Sequence, residues 1–186
     1  MAASRSEKLE LLRRMIREIE EPEPADADGP VELGFAGEEA YARVIRLCSV
    51  RDRCELELRQ RLAEEGFEPD EVSDAVARAV RCGLVDDMRF ADARIRKLVR
   101  DGKGVGGIRR DLEARGIDLY RVPGWPEEYL GPDPNEMARA LALLERRPSR
   151  SSNPARGSYQ KLVQNGYSSE VAMKASLSWA SAHTQR

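Results

Sequence analysis

Histidine is almost missing from this sequence. His183 is the only one, close to the C-terminal end. That excludes a multi-histidine metal site and argues against a histidine-dependent triad. Cysteine is scarce too: Cys48, Cys54 and Cys82 make an odd count with no CxxC pair. Reduced packing or surface thiols are expected, with no metal and no disulfide. Aromatic residues are only 5% of the chain, which argues against a platform that stacks exposed bases. There is no run of about 18 apolar residues, so no spanning helix and no membrane partner are expected. The N-terminus lacks the apolar core of a secretory signal, which points to the cytoplasm. No stretch alternates apolar and polar residues as a half-buried strand does, so the expected fold is all-α.

Charge is plentiful but uneven. Residues 1–39 carry 5 basic and 11 acidic side chains, with no Lys or Arg between Glu20 and Glu39. The window Arg89–Arg115 has 9 basic against 4 acidic residues, and Arg139–Lys161 has 6 against 1. The whole-chain balance of −2 therefore hides two regions suited to a polyanion or an acidic protein surface.

A repeat runs through the chain. Leu62, Leu112 and Leu162 each stand four residues before a glycine: Gly66, Gly116 and Gly166. Phe67, Ile117 and Tyr167 follow those glycines. Glycine takes the left-handed conformation that ends a helix without steric penalty. The spacing predicts tandem three-helix repeats at residues 38–85, 86–134 and 135–186. An N-terminal helix (1–20) and a flexible acidic linker (21–37), broken by prolines and like charges, precede them.

Helical periodicity supplies the expected cores. In repeat one it selects Tyr41, Val44, Ile45 and Cys48, then Leu58 and Leu62, then Val72, Val76 and Val80. In repeat two it selects Phe90, Ala91, Ile95 and Leu98, then Ile108 and Leu112. The third helix there is interrupted by four prolines in RVPGWPEEYLGPDPN, leaving one or two turns at Pro126–Leu130. Trp125 is expected to plug the core where repeat one uses Ala75. Repeat three offers Met137, Ala138, Leu141 and Leu144, then Tyr159 and Leu162, then Val171, Ala175 and Trp179, with Ser168 or Ser169 as a cap.

Two motifs invite a catalytic reading and are better explained otherwise. Gly102, Gly104 and Gly107 form a literal GxGxxG, but a helical run precedes it rather than a strand. Ile108-Arg109 follow where a phosphate loop needs Lys and Ser/Thr. A tight turn between helices is expected, with no nucleotide and no cofactor. The pair Asp86-Asp87 reads as helix-capping acids rather than an acid–base couple. Nothing marks an enzyme.

The stretches Arg53–Leu62 (RCELELRQRL) and Leu84–Ala91 (LVDDMRFA), followed by Gly104, Ile108, Leu112, Gly116 and Ile117, resemble the RecX family of regulators of the bacterial recombinase RecA. The resemblance covers residues 40–117 closely and 135–182 more loosely. It implies an elongated, curved array of three-helix repeats, acting as a monomer. Such an array binds RecA filaments and reduces ATP hydrolysis, strand exchange and co-protease activity without being an enzyme. It also implies contact with single-stranded or filament-bound DNA, in the SOS response, repair and recombination. Arg59, Arg94, Lys97, Arg109, Arg110, Arg146, Arg147 and Lys161 are the expected contacts. The residues alone also allow a helical DNA-binding protein with no RecA partner, or a scaffold for an acidic protein. Three departures stand out: Cys54 where a Ser or Thr cap is usual, the proline-rich 118–134 segment, and acids diluting the basic face of repeat one.

Overall fold

A computed structural model describes residues 10, 13–14, 35–131 and 135–184. Most of the expected N-terminal helix, and the acidic linker up to residue 34, lie outside these residues. Nine α-helices and one short 3-10 turn, and no strand, make up the elements from Phe35 onward among the described residues. They are α1 (Phe35–Val50), α2 (Glu55–Glu64), α3 (Pro69–Arg81), α4 (Asp87–Arg100), α5 (Val105–Glu113), α6 (Glu127–Leu130), α7 (Glu136–Arg146), α8 (Pro154–Gln164) and α9 (Ser169–Thr184). The 3-10 turn is Leu119–Arg121. The chain divides into two compact units, Met1–Phe90 and Ala91–Arg186.

All three leucine-to-glycine endings close in the same way. Gly66, Gly116 and Gly166 have φ of +90°, +74° and +88°. The amides of Phe67, Ile117 and Tyr167 donate back to the carbonyls of Leu62, Leu112 and Leu162 at 3.2, 3.0 and 3.1 Å. This six-to-one bond, with the five-to-two bond from each glycine amide, is a Schellman stop. The leucine side chains are all fully buried. The same residue thus supplies a core side chain and the carbonyl that accepts the six-to-one bond of the stop.

In the first unit α1, α2 and α3 enclose Tyr41, Val44, Ile45, Cys48, Leu58, Leu62, Val72, Ala75 and Val76. Val80, expected on that stripe, is 37% exposed. It lies eight residues beyond Val72, and at 3.6 residues per turn that is a drift of about 80°. Ala79, at i+7, takes the inward place. In the second unit, Ile95, Leu98, Ile108, Leu112, Ile117, Leu119 and Val122 are buried. A further cluster joins Ala140, Leu143, Leu144, Leu162, Tyr167, Ala172, Ala175 and Trp179. Ala138 is exposed rather than inward, because it sits about 100° round the helix from Met137, off the stripe.

The segment after α5 departs further from expectation. Its regular structure is the 3-10 turn and the single turn α6. Leu119 and Val122 occupy the core there. Trp125 is only half-buried and pairs with Tyr129, ring centroids 5.9 Å apart. Leu119 already follows Ile117 inward on the short path from the helix stop, so the indole is left at the edge.

Candidate functional site

The first helix turns show how carboxylates are used. Asp86 accepts from the amides of Met88 and Arg89 at 2.9 and 3.0 Å, and so caps its own helix α4. Its neighbour Asp87 accepts instead from the Glu55 amide, 2.9 Å away at the start of α2. The Cys54 thiol makes no capping bond, so a carboxylate from the next repeat does that work. Burial pushes the Asp87 carboxyl up, and the Glu55 amide pulls it partly back. The arrangement recurs fifty residues on. Gly104 has no side chain to cap α5, and Glu136 of α7 accepts from the Val105 amide at 2.9 Å. The adjacent acids are structural on both counts, capping helix starts with charge-complementary bonds.

The glycine-rich turn is a docking element. Gly104 donates its amide to the Asn165 carbonyl at 3.0 Å. A Cβ at Gly104, Gly106 or Gly107 would lie 2.7, 2.9 or 2.4 Å from backbone atoms of Asn165, Gly166 or Tyr167. Two chains can approach this closely only where side chains are absent. Three side chains fasten the same junction by reaching the carbonyls past the end of α4. Arg146 Nη1 donates to Arg100 O at 3.2 Å, Tyr167 Oη to Gly102 O at 3.1 Å, and Arg139 Nη2 to Lys103 O at 2.6 Å. Burial raises the Tyr167 phenol's pKa, which keeps it a donor.

The expected contact residues fall into two groups. Those of α2, α4 and α5, Arg110 excepted, face carboxylates. Arg59 lies 3.7 Å from Glu55, Lys97 3.4 Å from Asp101, and Arg109 3.5 Å from Glu113, each one turn away on its own helix. Arg94 bridges helices: its Nε and Nη2 bond both oxygens of Asp111 at 2.8 and 2.7 Å. Asp111 is also 3.0 Å from Arg115. The Arg94 bond, with Arg115 beside it, holds the Asp111 carboxyl below its ordinary range despite burial. Arg94 is therefore a tie between α4 and α5. Arg110 is exposed and donates Nε to Gly106 O at 3.2 Å.

The second group lies on and just after α7 and on α8, and its Arg146 and Lys161 bond neutral carbonyls. Arg146 holds Arg100 O as above. Lys161 Nζ donates to Arg147 O at 2.6 Å and to Pro148 O at 2.9 Å, straps the loop after α7, and complements the carbonyl end of that helix. Arg147 itself is exposed. Sequence reasoning missed Arg139, although it opens the second basic window. Its role depends on a carbonyl 36 residues away, which no local pattern reports. It also missed Tyr129, whose hydroxyl donates to Asp92 at 2.9 Å with Arg96 over its ring at 5.1 Å. Burial, helped by the Asp92 bond, pushes the Tyr129 phenol up to about 12.

Among the described residues no cluster of three or more His, Cys, Asp or Glu has the arrangement of a metal site. Among the same residues no helix is long and apolar enough to cross a membrane.

Short helices, Schellman stops at fixed spacing and caps lent between successive repeats define a helical repeat protein. Residues 40–78 match the family model described as RecX, first three-helix domain. A regulatory protein RecX of Mycolicibacterium vanbaalenii is 37% identical over 104 residues, covering 55% of this chain and 54% of the relative. One from Halorhodospira halophila is 32% identical over 117 residues, covering 62% of this chain and 70% of the relative. The chain belongs to the RecX family. Its match thus spans only about half the length of the first of these relatives. The crystal structure of RecX from Lactobacillus salivarius shares the fold, with a TM-score of 0.58 at 19% identity over 77% of this chain and 96% of that one.

Proposed function

We infer that this regulatory protein binds RecA filaments and inhibits RecA ATPase, strand exchange and co-protease activity, acting by occupancy rather than catalysis. The reading places it in the cytoplasm, in DNA repair and recombination. The observation that carries it is the set of arginines and a lysine on α7 and α8 whose bonds run to carbonyls rather than acids. A surface of that kind suits the phosphate-rich groove of a nucleoprotein filament, where bound cations release counterions. Arg110 adds to it directly, and so do Lys97 and Arg109, since exposed one-turn ion pairs are worth only about 0–1 kcal/mol and exchange readily for phosphate. Arg59 belongs with these, whereas Arg94 supports the helices that present them.

The test is RecA ATP hydrolysis on single-stranded DNA with this chain titrated in. Progressive inhibition is expected, and unchanged hydrolysis at saturating protein would overturn the reading. Binding to bare DNA across a salt series, without RecA, tests the simpler DNA-binding role. Tight and steeply salt-dependent binding alone, with hydrolysis unaffected, would favour that role.

A further inference from the structure

We propose that a cleft between the end of α4, the segment 129–130 and α7 is a binding site for a phosphoryl group. The cleft has a volume of about 290 Å³, and Tyr129, Arg139, Ala142 and Arg146 are among its lining residues. That is near the lower end of small-ligand sites. The inference draws on the same Arg139 and Arg146 as the RecA reading, but its test contains no RecA, so the two readings can fail separately.

Three observations converge. First, Arg139 and Arg146 bring two positive charges to one small space, and their hydrogen bonds go to the neutral carbonyls of Lys103, Ala142 and Arg100. Among the described residues no carboxylate lies within ion-pair distance of either. On α4 and α5, Arg89, Arg94, Arg96 and Arg109 each lie beside a carboxylate; Arg139 and Arg146 make no such ion pair among the described residues. Second, Arg139 Nη1 is shut off from solvent and has no hydrogen-bond partner. Buried donors are almost always paired, and an orphan on a charged group leaves that part of the guanidinium charge unshared, which adds to the positive field an anion in the cleft would meet. Third, the backbone makes room for the second arginine. Gly102 also lines the cleft, and a Cβ there would sit 3.1 Å from Arg146 Nη2 and 2.9 Å from Leu143 Cδ1. Gly102 has φ of +82°, so a side chain at this position is resisted by backbone conformation as well as by space.

The chemistry selects the ligand class. Guanidinium groups present planar, paired donors that match phosphate and carboxylate oxygens. Two uncompensated charges favour a group carrying about −2, which a phosphate monoester or diphosphate supplies and a single carboxylate does not. The charge can come from a free nucleotide or diphosphate, or from two neighbouring phosphodiesters, each singly negative, of a single-stranded nucleic-acid backbone.

The test is calorimetric titration of the full chain at low salt with pyrophosphate, ADP and a short oligothymidylate. Binding of pyrophosphate is expected. Arg146→Gln should weaken it at least tenfold, as should Ala142→Leu, which fills the cleft from an exposed position on α7 and leaves the arginines in place. Arg81→Gln, on α3, should bind like wild type. Thermal melts identify any variant that has lost its fold, and Ala142→Leu keeps the question open if Arg146→Gln has. ADP binding that oligothymidylate does not displace marks the free-nucleotide source. Displacement by oligothymidylate marks the nucleic-acid backbone. No pyrophosphate binding to wild type, or equal binding by folded wild type, Arg146→Gln and Ala142→Leu, overturns the proposal.

Discussion

Helices α4 and α5 and helices α7 and α8 are both rich in arginine and lysine, yet they use those charges differently. On the first pair, Arg94, Arg96, Lys97 and Arg109 all meet carboxylates, as does Arg115 just past α5. On the second pair, Arg139, Arg146 and Lys161 reach backbone carbonyls. A carboxylate cancels the field of its partner, whereas a carbonyl satisfies the donor and leaves the charge. Counting basic residues along the chain therefore ranks the α4–α5 window first, with 9 against 6. The bonding reverses that order. The difference also explains why the second set is organised at all: Arg139 and Arg146 hold one repeat against the next and Lys161 straps the loop after α7, so their positions are dictated by helix ends.

The most severe way to break the comparison is to remove the core beneath each set. Leu112→Ala and Leu162→Ala, both fully buried, should each lower unfolding free energy by about 2–5 kcal/mol in chemical denaturation. Gly116→Val should cost more than Gly116→Ala, since a β-branched residue resists the positive φ there.

The junction itself comes next. Gly107→Ala would drive a Cβ against the Asn165 carbonyl, and neither backbone can yield cheaply. A loss of about 1–3 kcal/mol is expected by analogy with overpacking. Amide exchange should accelerate at Gly104, whose bond to Asn165 depends on the close approach. Gly131→Ala serves as a comparison with open space around the Cβ, retaining only the backbone strain of φ +84°.

Asp111→Asn sharpens the comparison from the neutralised side. The folded carboxyl is held below its ordinary value of 3.8 by Arg94 and Arg115. Its contribution is therefore fully present above that ordinary value and is lost as pH falls through the depressed folded one. The stability gap between wild type and Asp111→Asn, about 1–3 kcal/mol for a charge-assisted bidentate bond, should close under acid unfolding. A gap that stayed constant from neutral pH into acid would show that the Arg94 bridge is not ionic.

The smallest effect concerns binding. Arg146→Gln should reduce the slope of DNA affinity against salt by about 1, as loss of a phosphate contact does. Arg109→Gln should change it less, because Arg109 must first leave Glu113 to reach a phosphate. Equal changes in a filter-binding salt series would remove the distinction between the two sets.

Much of the fold was legible because its causes are local. The leucine four residues before a glycine, the Asp86 cap and Pro69 at the start of α3 all act within a turn or so of chain. Local patterns also misled where a stripe drifts, as at Val80, or where a neighbour fills the core first, as at Trp125. The candidate site was legible only as a density of charge. That Arg94 would be spent on Asp111, and Lys161 on the loop after α7, follows from helices meeting. Arg139 and Tyr129 were missed because their partners, Lys103 and Asp92, are 36 and 37 residues away.

The amino-acid sequence by itself determined where helices stop, which faces are apolar, and that the unit is repeated, because backbone conformation and amphipathic period are properties of neighbouring residues. Only the tertiary structure decided that Asp87 and Glu136 cap helices of the preceding repeat, that three glycines of the turn make room for a second backbone, and which cations remain uncompensated. Those outcomes depend on distances between residues far apart in the chain. An electrostatic interaction is set by separation in space and by burial, neither of which is written in the order of the residues.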